Sequence, residues 1–478
     1  MRSFVDRYFS VSTRGSTMAR EFRGGIVTFV TMAYIVVLNP IIIGGVVGES
    51  RNADVEGNVL PIDQVAAVTA LVAGVMCIAF GVIAKYPFAF AAGLGINSLL
   101  AVSVVQDTTW PEAMGLVVID GIIIVVLAAT GFRTAVFNAI PTELKAAIAA
   151  GIGAFIAFIG LVDSGFIKRI PDAAGTTVPV ALGTDNSIAS WPVAVFAFGV
   201  LLMGILVARQ VKGGLLIGIV VSTLVAIVVQ QIADLGSSVA DPSGWILNIP
   251  SWPGSVGGLP DLSLVGDVDL FGAFTRLGAL SAAIIVFALV LSNFFDAMGT
   301  MTGLGKEAGL ADKDGNLPGI GKALIVEGTG AVAGGLGSAS SNTVFVESAA
   351  GIAEGARTGL ANIVTGVLFL IAMFFTPLYR IVPLEAAAPA LVVVGALMIG
   401  QVRHIDFTDF RIALPAFLTI VGMPFTYSIA NGIGLGFVSY VVLSAATGKW
   451  RSVHPLMYAV AALFVLYFLK HPIEQIVG

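Results

Sequence analysis

The chain has 478 residues, of which 57% are hydrophobic and 11% are charged, and its mean hydropathy is +0.98. A soluble protein carries about 25% charged residues, so this composition excludes an ordinary water-soluble domain and indicates a chain embedded in a lipid bilayer. The formal net charge of −5 points to no particular partner, we expect no nucleic acid to bind, and the single cysteine, Cys77, excludes a disulfide framework.

The predicted elements begin with a basic, polar N-terminal stretch, "MRSFVDRYFSVSTRGSTMAREFRGG". It contains no early apolar run, which argues against a cleavable signal peptide and predicts a cytoplasmic tail. A membrane-spanning helix needs about 20 mostly apolar residues. Such runs follow at 23–46, 64–84, 112–132, 143–162, 191–208, 213–232, 278–304, 318–337, 359–378, 386–402, 408–425 and 430–447. Two shorter runs, 88–105 and 342–356, bring the predicted number of segments to fourteen. A final run, 454–469, is short enough to be interfacial or a marginal span.

The distribution of basic residues supports this segment count. With the N-terminus in the cytoplasm, 18 lysines and arginines fall on the inside. Five fall on the outside: Arg51, Lys168, Arg169, Arg276 and Arg380. Cytoplasmic loops carry an excess of Lys and Arg, and a wrong count would scramble the asymmetry. We therefore predict a multi-pass protein with a cytoplasmic N-terminus. The outer stretch 233–270 separates two halves of seven segments, and its Trp245 and Trp252 are expected to be interfacial anchors.

Two halves with an odd number of segments must be inverted if they are related. The seventh segment, "KGGLLIGIVVSTL" (212–224), resembles the fourteenth, "ANGIGLGFVSYVV" (430–442). The third segment of each half is short and begins with an extended-looking piece, "KYPFAFAAGLGINSLL" (85–100) and "SASSNTVFVESAAG" (338–351). Interrupted segments at matching positions are the best sequence pointer to a transporter's binding site.

Extended backbone at membrane depth needs hydrogen-bond partners. The two pieces can supply them by pairing as a short antiparallel ladder, after which each leads into a half-helix with exposed N–H donors at its start. Gly93 and Gly95 would let the backbone approach a ligand closely. We therefore predict a polar pocket where the interrupted segments meet.

Four acids lie in apolar runs, where a carboxylate costs about 2.5–3.5 kcal/mol and faces the bundle interior or a cavity. They are Asp120, Asp296, Glu327 and Glu347. Glu347 opens the second half-helix, opposite Asn97 of the first; the plainer interpretation is an acid that the helix dipole stabilises. No basic residue lies in any mid-span, so an ion pair is a weak explanation for Asp296. Such an acid is expected to carry a proton in one state and lose it in another.

Other polar residues carry weaker signals. For Asp120 and Glu327 a helix-packing hydrogen bond is the better interpretation, and Asn293 is placed either to bond Asp296 or to line the same cavity. The three histidines have no metal-ligand spacing, and no Walker motif, nucleophile elbow or zinc signature is present. We expect no cofactor, no metal and no catalytic residue.

Several motifs strongly resemble the AzgA-like purine permeases, a branch of the nucleobase–cation symporter family that includes the uracil and xanthine permeases. They are "AAGLGINSLLAVSVV" (91–105), "ELKAAIAAGIGAFIAFIGL" (143–161), "NFFDAMGTMTGLG" (293–305), "TVFVESAAGIAEGARTGLANIVTGVLFLIAMFFTPL" (343–378) and "MPFTYSIANGIGLGFVSYVVL" (423–443). The match runs in order over almost the whole chain. Family members usually carry Asp where Asn293 and Glu327 stand.

The resemblance implies an all-α membrane fold of fourteen segments in two inverted repeats, divided into a core and a gate domain. The core would comprise 1–137 (segments 1–4) and 266–383 (segments 8–11). The gate would comprise 138–265 (segments 5–7) and 384–478 (segments 12–14 and the C-terminal apolar segment). It also implies proton-coupled uptake of hypoxanthine, guanine or adenine at the plasma membrane, driven by the proton gradient. Gate–gate contact could support a homodimer.

The resemblance also assigns residues. Asp296 and Glu347 would hold the base, and Asn97 with its neighbours would add contacts. The predicted substrate-binding set is Glu347, Asp296, Asn97, Gly95, Ser348, Phe345 and Phe295, and the proton-coupling set is Asp296, Glu347 and Glu327. The aromatic members would stack on the purine face, although plain packing also explains them. The alternatives are a carrier of the same architecture for uracil, xanthine or an anion, then a channel, and last a membrane-embedded enzyme. Two acids argue against an anion.

Overall fold

The structure is a computed structural model that describes residues 4–45, 52–132, 139–169, 180–183, 187–188, 190–238, 240–241, 243–310 and 317–469. The side chains of residues 169, 295, 298, 299, 302 and 306 lie outside this description.

The described part of the chain is mostly helical. The α-helices are α1 (Phe4–Phe9), α2 (Met18–Met32), α3 (Ile35–Ile43), α4 (Ile62–Ile83), α5 (Leu94–Val104, π-helical from Leu100), α6 (Trp110–Ala129), α7 (Thr142–Asp163), α8 (Trp191–Ala208), α9 (Gly214–Ala233), α10 (Gly272–Leu277), α11 (Ala279–Glu307), α12 (Ile320–Leu336), α13 (Ser348–Ala353), α14 (Gly359–Ala372), α15 (Leu384–Ala387), α16 (Pro389–Ile399), α17 (Phe410–Thr426), α18 (Ile429–Ala446) and α19 (Pro455–Phe468). Short 3-10 helices lie at Met373–Ile381, Gly400–His404 and Trp450–Ser452. The strands are β1 (Gly44–Gly45), β2 (Leu60–Pro61), β3 (Phe90–Ala92), β4 (Ile167–Arg169), β5 (Val180–Leu182) and β6 (Asn342–Val344).

The strands form three two-stranded ladders, β1–β2, β3–β6 and β4–β5. Among the ladders in the part of the chain that the structure describes, β3–β6 alone joins the two halves, and its pairing is antiparallel.

Within the described residues, nine helical stretches are long and apolar enough to cross a membrane, and four apolar helices are shorter. The prediction of a polytopic helical membrane protein is confirmed, whereas the count of fourteen segments and the inverted repeats stay predictions. The C-terminal run forms the 14-residue helix α19. Helices α8 and α9 turn apolar side chains such as Leu201, Ile205, Val220 and Val228 outward, which suits contact with lipid.

Local sequence explains where these helices begin. Thr109 and Glu112 form a capping box at the start of α6: the Thr109 N–H donates to Glu112 Oε2 at 2.8 Å, and Thr109 Oγ1 accepts from the Glu112 N–H. Pro111 follows in the first turn, where its missing N–H has no cost. Polar caps of this kind give apolar helices defined ends.

The helices pack into two groups. In the first, α2 and α4 contact α14, and α6 contacts α11 and α12. In the second, α7 contacts α16 and α17, α17 contacts α18, and α8 contacts α9. Glycines allow the closest crossing in the first group: a methyl group at Gly81 would lie 2.4 Å from the Gly359 carbonyl oxygen. The division of the chain into core and gate domains remains a prediction.

One sequence expectation for the long central stretch is wrong. Trp245 is not an interfacial anchor, because it is fully buried and its Nε1–H donates to Gln230 Oε1 at 2.7 Å. Trp252 is 61% exposed, as an anchor would be.

Candidate functional site

The predicted antiparallel pairing of the two interrupted segments is confirmed. Strand β3 pairs with β6 in the register Phe90–Val344, Ala91–Thr343 and Ala92–Asn342. Two further backbone bonds extend the ladder, from Gly93 N–H to Ser341 O at 2.9 Å and from Phe345 N–H to Ala89 O at 3.0 Å. All six strand residues are buried. The buried backbone therefore finds its partners across the two halves of the chain.

A short helix leaves each strand. Helix α5 starts at Leu94, directly after Gly93, and α13 starts at Ser348, directly after Glu347. Ser348 Oγ accepts from the Ala89 N–H at 2.9 Å and donates to Phe345 O at 2.7 Å. The Ser348 hydroxyl thus ties α13 to the end of the ladder, and both of these bonds are with the backbone.

Glu347 lies where β6 gives way to α13, and its side chain does not cap that helix. Instead, its Oε1 accepts a hydrogen bond from the Tyr34 hydroxyl at 2.6 Å. The Thr31 hydroxyl approaches the Glu347 backbone carbonyl at 3.4 Å. The first apolar segment of the chain therefore lies directly against this acid.

Asp296, on α11, lies beside Gly93, where β3 ends. A methyl group built on Gly93 would be 3.8 Å from Asp296 Oδ2 and 3.0 Å from Thr343 Cγ2. The carboxyl group is therefore beside the strand pair, next to Thr343. In the described part of the chain, the charged groups that act on it electrostatically are two more acids, Glu327 and Glu347. The structure thus brings the three predicted proton-coupling residues into one neighbourhood.

Asn293 and Asp120 form a separate buried contact behind the ladder. The Asn293 amide donates to Asp120 Oδ2 at 3.2 Å and to Ser341 Oγ at 2.8 Å. All three residues are fully buried. This arrangement fits the packing interpretation for Asp120, since it links α6, α11 and the approach to β6. The predicted bond from Asn293 to Asp296 is therefore replaced, for the Asn293 amide nitrogen, by bonds to Asp120 and Ser341.

Asn97 is tied into a buried amide network. Its Nδ2 donates to Asn39 Oδ1 at 2.6 Å, and Asn39 Nδ2 donates to Thr69 Oγ1 at 2.8 Å and to Ala339 O at 3.1 Å. The Asn97 amide nitrogen therefore holds α5 against α3, which leaves its Oδ1 as the atom for any ligand contact. Gly95 faces the second group of helices: a methyl group there would lie 3.1 Å from Ile429 and 3.5 Å from Ile152.

The aromatic residues near the acids do not identify a stacking surface for a flat ligand. Phe345 is buried at 7% exposure, and Phe294, which also precedes Asp296, is buried at 3%. The side chain of Phe295, the other predicted stacking residue, lies outside the described part of the structure. Where a flat ligand would stack therefore stays a prediction.

Sequence reasoning missed Tyr34, Thr343 and Asn39. Each is a polar residue inside an apolar run, and that signal was available in "TMAYIVVLNP" and "SNTVFV". A cavity of about 580 Å³ also lies apart from the acids, lined by residues such as Asp54, Trp110 and Arg276. Arg276 there donates to Glu56 and Glu112, so ion pairs line part of this cavity.

Comparison with known proteins gives one family across the chain. The profile of the Permease family, the xanthine/uracil permeases, matches residues 19–468. The guanine/hypoxanthine permease PbuG of Bacillus subtilis is 38% identical over 466 residues, which cover 97% of this chain and 99% of PbuG. The adenine permease AdeQ of Escherichia coli is 36% identical, covering 97% and 95% of the two chains.

A solved structure shares the fold. The transmembrane domain of the cyanobacterial bicarbonate transporter BicA superposes with a TM-score of 0.58 at 16% identity, covering 87% of this chain and 96% of that one. At this identity the likeness concerns architecture alone.

Proposed function

This chain belongs to the xanthine/uracil permease family, and from that premise we propose that it imports purine nucleobases together with protons. As a permease it is a transporter and not an enzyme. The names of its relatives, guanine/hypoxanthine permease and adenine permease, support a purine as the substrate. Uracil or xanthine is the alternative within the same architecture.

The observation that supports the proposal is that Asp296 lies beside Gly93, where β3 ends, and Glu347 lies where β6 gives way to α13. A purine presents N–H donors and ring-nitrogen or carbonyl acceptors along its edges. Carboxylates accept hydrogen bonds from N–H groups, so the two acids would hold donor edges of the base. Ladder-end backbone and the Asn97 Oδ1 would supply the remaining polar contacts. An anion such as bicarbonate, the cargo named for BicA, would be repelled by the same two acids.

The crowding of acids supports proton coupling. The charges of Glu327 and Glu347 act on Asp296, and like charges repel strongly where the effective dielectric constant is low. A proton on one of them relieves that repulsion, and a bound base that donates to another would favour a defined protonation state. We assign Asp296 and Glu347 to both binding and coupling, and Glu327 to coupling.

The proposed transport cycle moves the core domain against the gate domain. The core is segments 1–4 and 8–11, the gate is segments 5–7 and 12–14, and the halves are inverted repeats of seven. The separate packing of the two helix groups supports this division. Small residues face the boundary, as Gly95 does toward Ile152 and Ile429, which suits helices that slide. The charge distribution of the loops supports a cytoplasmic N-terminus in the plasma membrane. A homodimer through the gate domains is part of the same proposal.

Uptake of labelled hypoxanthine into proteoliposomes tests the proposal. We expect an inward proton gradient to drive accumulation, Asp296→Asn and Glu347→Ala to abolish it, Glu347→Asp to retain part of it, and the exposed-loop control Asp406→Asn to behave as wild type. Uptake that persists unchanged without the gradient would exclude proton coupling. Competition by adenine, guanine, hypoxanthine, xanthine and uracil identifies the substrate class, and counterflow separates a carrier from a channel.

A further inference from the structure

Tyr34 lies at an interruption of the first apolar segment. Helix α2 ends at Met32 and α3 begins at Ile35, with Ala33 and Tyr34 between them. The Ala33 N–H closes α2 by donating to Phe29 O at 2.7 Å, and Tyr34 O accepts from the Leu38 N–H in the first turn of α3. The tyrosine side chain is therefore carried by a fixed junction between two helices rather than by a loop.

The phenol of Tyr34 is buried and aimed at Glu347. Its exposure is 0%, and its hydroxyl lies 2.6 Å from Glu347 Oε1. Hydrogen bonds of hydroxyl groups to carboxylates fall in the 2.5–2.7 Å range. The two residues are 313 positions apart in the chain, and the packing of α2 on α13 brings them together.

That packing leaves little freedom in the distance between them. A methyl group at Gly351, in α13, would lie 2.5 Å from the Gly24 carbonyl oxygen, and one at Gly24 would lie 2.9 Å from the Gly351 carbonyl oxygen. The backbones of α2 and α13 are therefore in direct contact, and tightly packed interiors resist displacement. The Tyr34 hydroxyl is held where Glu347 Oε1 needs a donor.

From this geometry we infer that Tyr34 is a positioning residue that fixes the Glu347 carboxyl group and so selects the edge of the base that it binds. This inference rests on the proposed function. The phenol donates to Oε1, and we place the contact with a ring or exocyclic N–H of the substrate at Oε2. Because the Tyr34 hydroxyl donates a hydrogen bond to the carboxyl group, it favours the ionised form of Glu347, which accepts hydrogen bonds. The site would then require a donor on the base at that position.

The test is Tyr34→Phe, which keeps the ring and removes the hydroxyl. Removal of a hydrogen bond to a charged group typically changes an equilibrium constant tenfold or more. We expect the KM for labelled hypoxanthine to rise about tenfold or more and its pH profile to shift. The matched control is Tyr458→Phe, which removes a hydroxyl that donates to Trp450 O far from the acids and should leave both unchanged. A wild-type KM and pH profile in Tyr34→Phe would overturn the inference.

A double-mutant cycle asks whether Tyr34 acts through Glu347. Hypoxanthine binding is measured for Tyr34→Phe, Glu347→Gln and the double variant, because binding can be followed where transport is lost. We expect Tyr34→Phe to weaken binding much less in the Glu347→Gln background than in the wild type. Equal weakening in both backgrounds would contradict a positioning role.

Two outcomes keep this inference separable from the proposed function. If the wild-type protein binds and carries no purine, the proposed function fails, whereas a purine carrier indifferent to Tyr34→Phe refutes only the positioning role. If Tyr34→Phe does not fold, difluorotyrosine at position 34 retains the hydroxyl with a more acidic proton. It should shift the pH profile of KM, and an unshifted profile would overturn the inference.

Discussion

Helix α12 passes so close behind strand β6 that one added methyl group tests how the site is built. A Cβ atom at Gly334 would lie 1.8 Å from the Ser340 carbonyl oxygen and 2.9 Å from Asn342 Nδ2. Real Cβ atoms essentially never come within 3.0 Å of such atoms. Gly334→Ala must therefore displace the entry to β6, or α12 itself, by at least 1.2 Å.

This displacement should harm transport more than stability. Overpacking of a well-packed interior costs about 1–3 kcal/mol, and the obstacle here is backbone, so we take the upper end. Alanine in place of glycine in a helix recovers up to about 1 kcal/mol, which leaves a net loss of about 2 kcal/mol. Thr343 lies three residues after Ser340 and beside Asp296, and a misplacement of about 1 Å at a site can cost about 100-fold in activity.

The assay compares thermal unfolding of the purified protein with hypoxanthine uptake into proteoliposomes. We expect Gly334→Ala to unfold a few degrees below wild type and to lose about 100-fold in kcat/KM. Gly321→Ala is the matched control on the same helix, where nothing lies within 4 Å of the added methyl group; it should transport normally. Normal transport by Gly334→Ala would refute the claim that β6 is held in place by close packing on α12.

Two further predictions concern contacts outside the ladder. Glu354, just after α13, forms ion pairs with Arg23 of α2 and with Lys212 between α8 and α9. Because Lys212 is 54% exposed, we expect Lys212→Gln to change the uptake rate by no more than about fivefold. The effect should shrink at high salt and be absent in Lys212→Arg, and a change that is independent of salt would contradict an ionic origin. Asn39→Ala should lower the free energy of unfolding by about 1–3 kcal/mol, because it leaves the buried amide of Asn97 without its acceptor. If Asn39→Ala and the wild type have the same melting temperature, the network does not stabilise the fold.

Much of the helical framework could be predicted because apolar length and polar ends decide it. The predicted run 191–208 coincides with α8, Trp191–Ala208, which begins at a serine and proline and ends before an arginine. The β3–β6 ladder was also predictable, since two short, interrupted segments at matching positions leave unpaired backbone that must find a partner. These features depend on chain chemistry over a few residues.

Rotation of the helices about their own axes was not predictable. Asn97 and Tyr34 are both polar residues in apolar runs, yet the Asn97 amide nitrogen is taken by Asn39, whereas the Tyr34 hydroxyl reaches Glu347. A fully apolar helix has no polar face to indicate which side turns inward. The prediction that Trp245 is an interfacial anchor was wrong for a related reason. The sequence does not show that Gln230 lies within reach of the Trp245 indole N–H.

The ladder also explains why acids can be tolerated in so apolar an interior. Asp296 comes from α11 and Glu347 lies between β6 and α13, and the backbone bonds of β3 and β6 hold the two interrupted segments together without using either carboxyl group. In the proposed cycle, the acids can then exchange protons and ligand bonds while β3 and β6 keep their own hydrogen bonds. A site held together by the acids themselves would lose its shape each time one of them was protonated. This separation suits the proton coupling proposed above, and it predicts that Asp296→Asn will remove uptake while the protein stays folded.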